Sequence, residues 1–257
     1  MAIENFKPEV LESALIQAYR EVSIVDQVTM RPSKVEGKLA RFNVLAAGEI
    51  KDYEGQVEPD AVVTTAIDLV YNKKKYYAVA VDDADACMLQ APVLMAMADQ
   101  LAYQLRKVIE ADVFAEAVAG AKGKVTPSED IYADIVDAAV KLDEANVPQG
   151  GRYVVMRPAD VAKLAKDDRM IAYYHGNAVL ANGIVEGMNV NGMQVVKSNN
   201  VPEGKIIVMH KDAVGFGQLL EKTEAIRGEH AFEDIVRGLA VYGCKTLRAE
   251  GIAVIGA

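Results

Sequence analysis

The 257-residue sequence predicts an α+β fold of unusual proportions: a long β-ribbon, one helix long enough to cross the body, and a mixed α/β centre. Three observations carry this. Between Lys38 and Asp82 apolar residues recur at every second position. From Pro92 to Ala119 no Gly and no second Pro interrupts the chain. Beyond Thr126, helical and strand patterns alternate, punctuated by Gly and Pro.

The first element is a helix. Val10, Leu11, Leu15, Ala18, Val22 and Val25 follow helical spacing between Glu9 and Val28, and Arg31-Pro32 cuts off the extended stretch behind them. The ribbon follows. Ile67, Leu69 and Tyr71 alternate with Ala66, Asp68 and Asn72, and Tyr77, Val79 and Val81 alternate with Ala78, Ala80 and Asp82. Leu39 to Leu45 supplies the partner strand, and the tip runs through Asp52-Tyr53-Glu54-Gly55-Gln56-Val57-Glu58-Pro59-Asp60. Strands of about a dozen residues reach about 40 Å, against a radius of gyration of about 18 Å for a compact chain of this length. A lone two-stranded ribbon is marginally stable. It therefore needs a surface to lie on, and a neighbouring copy is the simplest one.

Pro92 suits a first helical turn, and Leu94, Met97, Leu101, Leu105, Val108 and Ala111 or Asp112 mark one face of a helix roughly 42 Å long. Leu101, Leu105 and Val108 are accordingly expected in the core. Gly120 and Gly123 mark its end. A second helix is expected to start at Thr126-Pro127-Ser128-Glu129, with Thr126 as N-cap and Glu129 closing a capping box, and to bury Ile131, Ile135, Ala138, Ala139 and Leu142. Strand Tyr153–Met156 follows Pro148-Gln149-Gly150-Gly151. Arg157-Pro158 then opens a short helix through Val161 and Leu164, glycine-rich turns and short strands occupy Gly176 to Val196, and Ile206–Met209 reads as a buried strand. The ending, from Phe232 to Ile252, reads as a helix or turn feeding one terminal apolar strand that holds Tyr242 and Gly243 in the core.

Composition narrows the function. With 51% apolar and 25% charged residues the chain is an ordinary globular one. A formal charge of −9 argues against a dedicated nucleic-acid binder. Cys87 and Cys244 sit in separate apolar stretches and read as buried reduced thiols. Neither a signal peptide nor a run of roughly 18 apolar residues is present, which predicts a soluble protein made in the cytoplasm.

Catalytic chemistry finds little footing. His175, His210 and His230 share no ligand spacing, and no HExxH or CxxC occurs. Gly187 to Gly192 imitates a phosphate loop but continues with Met193-Gln194 where Lys and Ser or Thr belong, so these glycines read as turns. Asp82-Asp83-Ala84-Asp85 lacks the Gly and Glu of a calcium loop and reads as acids ahead of a helix. Neither a catalytic residue, a cofactor nor a metal is assigned. What stands out instead is charge on the ribbon. The tip carries Asp52, Glu54, Glu58 and Asp60 beside Lys51 and Tyr53, and Lys73-Lys74-Lys75 follows; that run suits nucleic acid or an acidic partner, and a charge match between copies at least as well.

The order of elements, and three local segments, resemble the Hong Kong 97-type shell fold of tailed-phage major capsid proteins. The segments are Arg152-Tyr153-Val154-Val155-Met156-Arg157-Pro158 leading to Asp167-Asp168-Arg169, then Gly192 to Pro202, and the stretch Ala231 to Ile252 with Gly238-Leu239-Ala240-Val241-Tyr242-Gly243 at its heart. The resemblance implies an N-terminal arm at 1–33, an extended loop or β-tongue at 34–80, a peripheral domain at 81–125 and 223–257 with the long helix as its spine, and an axial domain at 126–222. It also implies a non-enzymatic protein of the virion, assembling as hexamers and pentamers into an icosahedral shell around DNA. A separate scaffolding protein is expected because no long helical segment precedes the arm, along with a portal and optionally a decoration protein. Some relatives cross-link Lys to Asn. Lys51 lies near the tip without a recognisable Asn partner, so no cross-link is assigned. An encapsulin-like compartment shell and a small α/β enzyme are the alternatives.

Overall fold

The computed structural model describes residues 24–32, 35–36, 39–45, 64–82, 92–170, 189–228 and 232–256. The arm helix expected before Val25, the ribbon tip, Asp83 to Asp85, Cys87, His175, Gly187 and His230 lie outside them.

The elements are α1 Val25–Val28, β1 Val35–Glu36, β2 Leu39–Leu45, β3 Thr64–Val70, β4 Lys73–Asp82, α2 Pro92–Gly120, β5 Gly123–Val125, α3 Ile131–Glu144, β6 Arg152–Met156, α4 Pro158–Ala165, β7 Asn189–Val190, β8 Met193–Lys197, β9 Ile206–His210, β10 Val214–Arg227, β11 Glu233–Thr246 and β12 Ile252–Ile255. They form three sheets, ordered β1-β2-β3, β10-β11-β4 and β5-β12-β9-β6-β8-β7. The third is the central sheet. Its far corner closes through Asn191 and Gly192, both at positive φ (48° and 76°), the conformation a two-residue hairpin demands.

The long helix α2 lies between two sheets. One core joins Leu105, Ile109, Val113, Phe114 and Ala117 of α2 to one face of the central sheet and to Ala240 and Tyr242 of β11. A second core packs α3 and α4 onto the opposite face of the central sheet, around Ile135, Leu142, Met156 and Val208. Among the described residues the buried band of α2 therefore runs from Leu105 through Ile109, Val113 and Ala117 to Phe114, about half the helix circumference at roughly 100° per residue. The expected stripe drifts the other way. Val108, about 60° to the wrong side of Leu105, is 42% exposed, and Leu101 is only partly buried.

Three other expectations are corrected. Helix α3 starts at Ile131, five residues after Thr126, with Asp130 as N-cap accepting from the Ala133 N–H at 3.1 Å. Residues 123–125 are drawn into a parallel pair with β12, and Ser128 folds over the first turn, its N–H and Oγ donating to the buried Asp134 carboxylate at 2.9 and 2.6 Å. Asp134→Ala would remove both bonds, at about 0.5–1.5 kcal/mol each, since Ser128 is exposed and its Oγ keeps the Asp130 C=O at 3.3 Å as an acceptor. A urea titration should show a lower midpoint than wild type; equal midpoints would mean Ser128 finds water instead. The terminal segment is two strands rather than one. β11 is antiparallel to both β10 and β4, whereas β12 crosses to the central sheet after a 3-10 turn at Ala249–Gly251. The corner forms because Leu247 and Arg248 N–H groups both donate to Ala213 C=O, at 2.8 and 3.1 Å. Finally, residues 34–80 are divided: β2 and β3 pair with each other, but β4 pairs with β11.

Candidate assembly interface

The ribbon root is seated on the outer face of the sheet β10-β11-β4. Opposed residues of antiparallel strands share a face, so Tyr76, Leu239 and Arg237 point outward while Tyr77, Ala240 and Tyr242 point toward α2. Near Val70 this outer face is stripped of side chains. A Cβ on Gly243 would lie 2.4 Å from the Val70 carbonyl oxygen, and one on Gly217 would lie 2.6 Å from the Tyr71 hydroxyl. Into the space settle Ala40, Phe42, Leu69 and Tyr71, a small core of their own, with Val241 and Leu247 beneath. Lys245 Nζ adds a bond to Asp68 C=O at 3.1 Å.

Gly243→Val should therefore unseat the root. Overpacking of this kind costs typically about 1–3 kcal/mol, and here the obstacle is backbone, which has little room to yield. Proteolysis should cut first near Arg41 in the variant, with wild type resistant there. Equal resistance would show that the root does not depend on this gap.

The three lysines do not form one patch. Lys73 turns inward and pairs with Asp112 of α2 at 3.5 Å. Asp112 also accepts from the Tyr242 hydroxyl at 2.5 Å, so one carboxylate ties β4, β11 and α2 together. Burial lowers the Lys73 ammonium, but Cys244 and Asp112 outweigh it and hold it above its ordinary value. Burial and then the Asp112 bond push the Tyr242 phenol far up, and burial likewise raises the half-buried Cys244 thiol against the pull of Lys73. Both are poor nucleophiles as a result. Lys74 and Lys75 are exposed on opposite faces of β4.

Beyond the seated root the outer face is bare among the described residues. Tyr76 is 80% exposed, and Leu239, Ile226 and Ile235 lie with it along a shallow groove of about 620 Å³. The Arg237–Glu224 ion pair crosses the groove at 3.0 Å. This surface was not read from the sequence, which took Tyr77, Val79 and Val81 as the apolar side of the strand. The available signal was the opposite row: Tyr76, Ala78 and Ala80 are also non-polar, and a strand with two non-polar faces needs partners on both.

Among the described residues no three His, Cys, Asp or Glu side chains stand where a metal would be held, and no helix is long and apolar enough to cross a membrane. Lys51, Asp52, Tyr53, Glu54, Glu58 and Asp60 lie outside the described residues. Leu105, Tyr242 and Gly243 are buried, as described above.

Comparison with known proteins supplies the remaining evidence. The family model for phage capsid proteins matches residues 67–255. A solved structure from Mycobacterium phage Che8 superposes with a TM-score of 0.81 at 25% identity, covering 99% of this chain and 98% of that one. The capsid structure of cyanophage P-SCSP1u gives 0.79 at 19% identity, covering 95% and 91%. The mature capsid of bacteriophage PhiM1 gives 0.69 at 16%, covering 93% and 88%. No curated protein matches the sequence.

Proposed function

This chain belongs to the phage capsid protein family, as the major capsid protein of a tailed phage with the Hong Kong 97-type fold, and from that premise we propose how its copies join into a shell. The β-tongue of one copy, residues 46–63 at its tip, lies on the bare outer half of the neighbour's β10-β11-β4 sheet. The observation that supports this most is the half-covered face. Each copy's own ribbon root fills one half, and the half beside it, apolar in large part, is exposed among the described residues. The tip's four carboxylates suit Lys74, exposed at that face.

Such a contact is head-to-tail: the patch used by one copy differs from the patch it meets. Contacts of this kind close into rings when the rotation allows. Hexamers and pentamers are the rings proposed here, joined into an icosahedral shell. Nothing within a single chain decides where a ring of five replaces a ring of six. A scaffolding protein to set curvature and a portal to start the shell are therefore the proposed helpers, with a decoration protein as an optional addition. The shell encloses DNA without tight contacts, because a chain of charge −9 repels phosphate on the whole. Its proposed work is mechanical throughout, with no reaction catalysed.

Paired cysteines test the contact. In a Cys87→Ser, Cys244→Ser background, Glu54→Cys with Leu239→Cys should give, on oxidation, a ladder of linked copies that ends at the ring size. A product confined to single chains would contradict the placement of the tongue.

A further inference from the structure

A cleft of about 450 Å³ separates the end of α3 from the corner between β11 and β12, and His210 stands in its wall. The imidazole is 12% exposed and is held at both nitrogens. Nε2 lies 2.9 Å from the Gly150 carbonyl oxygen, so it carries the proton and donates. Nδ1 accepts from the Asp212 backbone N–H at 3.2 Å, so it carries none. The ring is thus fixed as one neutral tautomer. The loop it holds is short: Gly151 takes a φ of 81° and its carbonyl accepts from the Lys211 N–H at 3.0 Å.

We propose that His210 is a proton-operated latch on the loop joining α3 to β6. A proton from solvent on Nδ1 places two N–H groups face to face, and the Asp212 N–H must let go. The Asp212 carboxylate, with one oxygen already 3.9 Å from Nδ1, then swings in as the new partner. The 3-10 turn at Lys211–Ala213 changes shape, while the Nε2 bond to Gly150 persists and strengthens with the charge. One wall of the cleft passes from neutral to cationic.

The surrounding charges are set against one another. Arg152 of β6 stands directly across from His210 in the sheet, but its guanidinium is committed to Asp143 and to the Val147 and Pro148 carbonyls. Across the cleft lie the Lys122–Glu250 pair and Arg248. Lys211 and Asp212 belong to the turn itself. Arg152, Lys122, Arg248 and Lys211 oppose a proton on the ring, and Asp212 and Glu250 favour it. Asp212, with an oxygen 3.9 Å from Nδ1, is the partner that the protonated ring gains.

Hydrogen exchange on the full chain tests this, followed on peptides covering 145–152 and 206–213 between roughly pH 8 and pH 5, the range in which histidine changes charge. With the intrinsic pH dependence of exchange removed, the Asp212 amide in wild type should lose protection on acidification by about fivefold, the scale of one lost hydrogen bond. His210→Gln, which keeps a donor for Gly150 and cannot be protonated, should show no such step. Asp212→Asn should move the midpoint to lower pH. The proposal is overturned by a flat wild-type profile, by the same step in His210→Gln, or by an unmoved midpoint in Asp212→Asn. The Asp212→Asn arm stands alone should the glutamine variant fail to fold.

Discussion

Leu105→Asp is expected to abolish the soluble, folded protein. Leu105 opens the buried band of the spine helix and packs in the core shared by two sheets. Truncation of such a leucine to alanine already costs about 2–5 kcal/mol. The aspartate adds a carboxylate with no partner in an apolar site, and burying an uncompensated polar group costs several kcal/mol more. Together these approach the whole stability of a typical domain, about 5–15 kcal/mol. The control is Val108→Asp, three residues along on the exposed side of the same helix, which should melt within a few degrees of wild type. Solubility and thermal unfolding of the pair decide it. A Leu105→Asp variant that melts like wild type would place that face in solvent and refute the packing described for α2.

The second large effect falls on assembly instead of folding. Replacing Asp52 to Asp60 with a short Gly-Ser turn should leave a chain that folds and melts normally yet builds no closed shell. Folding is spared because, among the described residues, the two main cores contain no residue of β2 or β3, and the root keeps its own small core at Phe42, Leu69 and Tyr71. Assembly fails because the segment removed carries the tip's carboxylates, the groups proposed to meet the next copy. Normal particles from this variant would remove the tongue from the interface. Loss of folding along with assembly would make the tip part of the body.

What the sequence revealed and what it hid divide along physical lines. The span of α2 was legible because Pro92 and Gly120 punctuate a long uninterrupted stretch, and the helix runs from Pro92 to Gly120. Strand β9 was legible because Ile206 to Met209 is a continuous apolar run, which only a strand covered on both faces tolerates. The rotation of α2 was not. A stripe drawn through Leu101, Leu105 and Val108 and one drawn through Leu105, Ile109 and Val113 are equally regular, and the choice depends on where two sheets happen to lie. The start of α3 was hidden for a related reason, since Thr126 and Asp130 are both competent caps and pairing of residues 123–125 with β12 settles between them. Strand membership is the least local property of all. β4 continues the period of β3 without a break in pattern, yet it joins β11, more than 150 residues away in the chain.

The interface was legible only in part. Charge on the ribbon could be read directly, but the lysines alternate across a strand, so Lys73 is consumed by Asp112 while Lys74 stays outside. The groove around Tyr76 and Leu239 required knowing that β4 and β11 are neighbours. The gaps at Gly217 and Gly243 required knowing what lies above them.

Electron microscopy of the purified chain, alone and co-expressed with the neighbouring phage gene products, tests the central claim most directly. Closed particles of uniform size, tens of nanometres across by roughly counting hundreds of copies of a body this size, are the predicted result with the helpers present, and rings, sheets or irregular shells without them. A chain that stays a monomer or dimer at high concentration in both preparations would contradict the account.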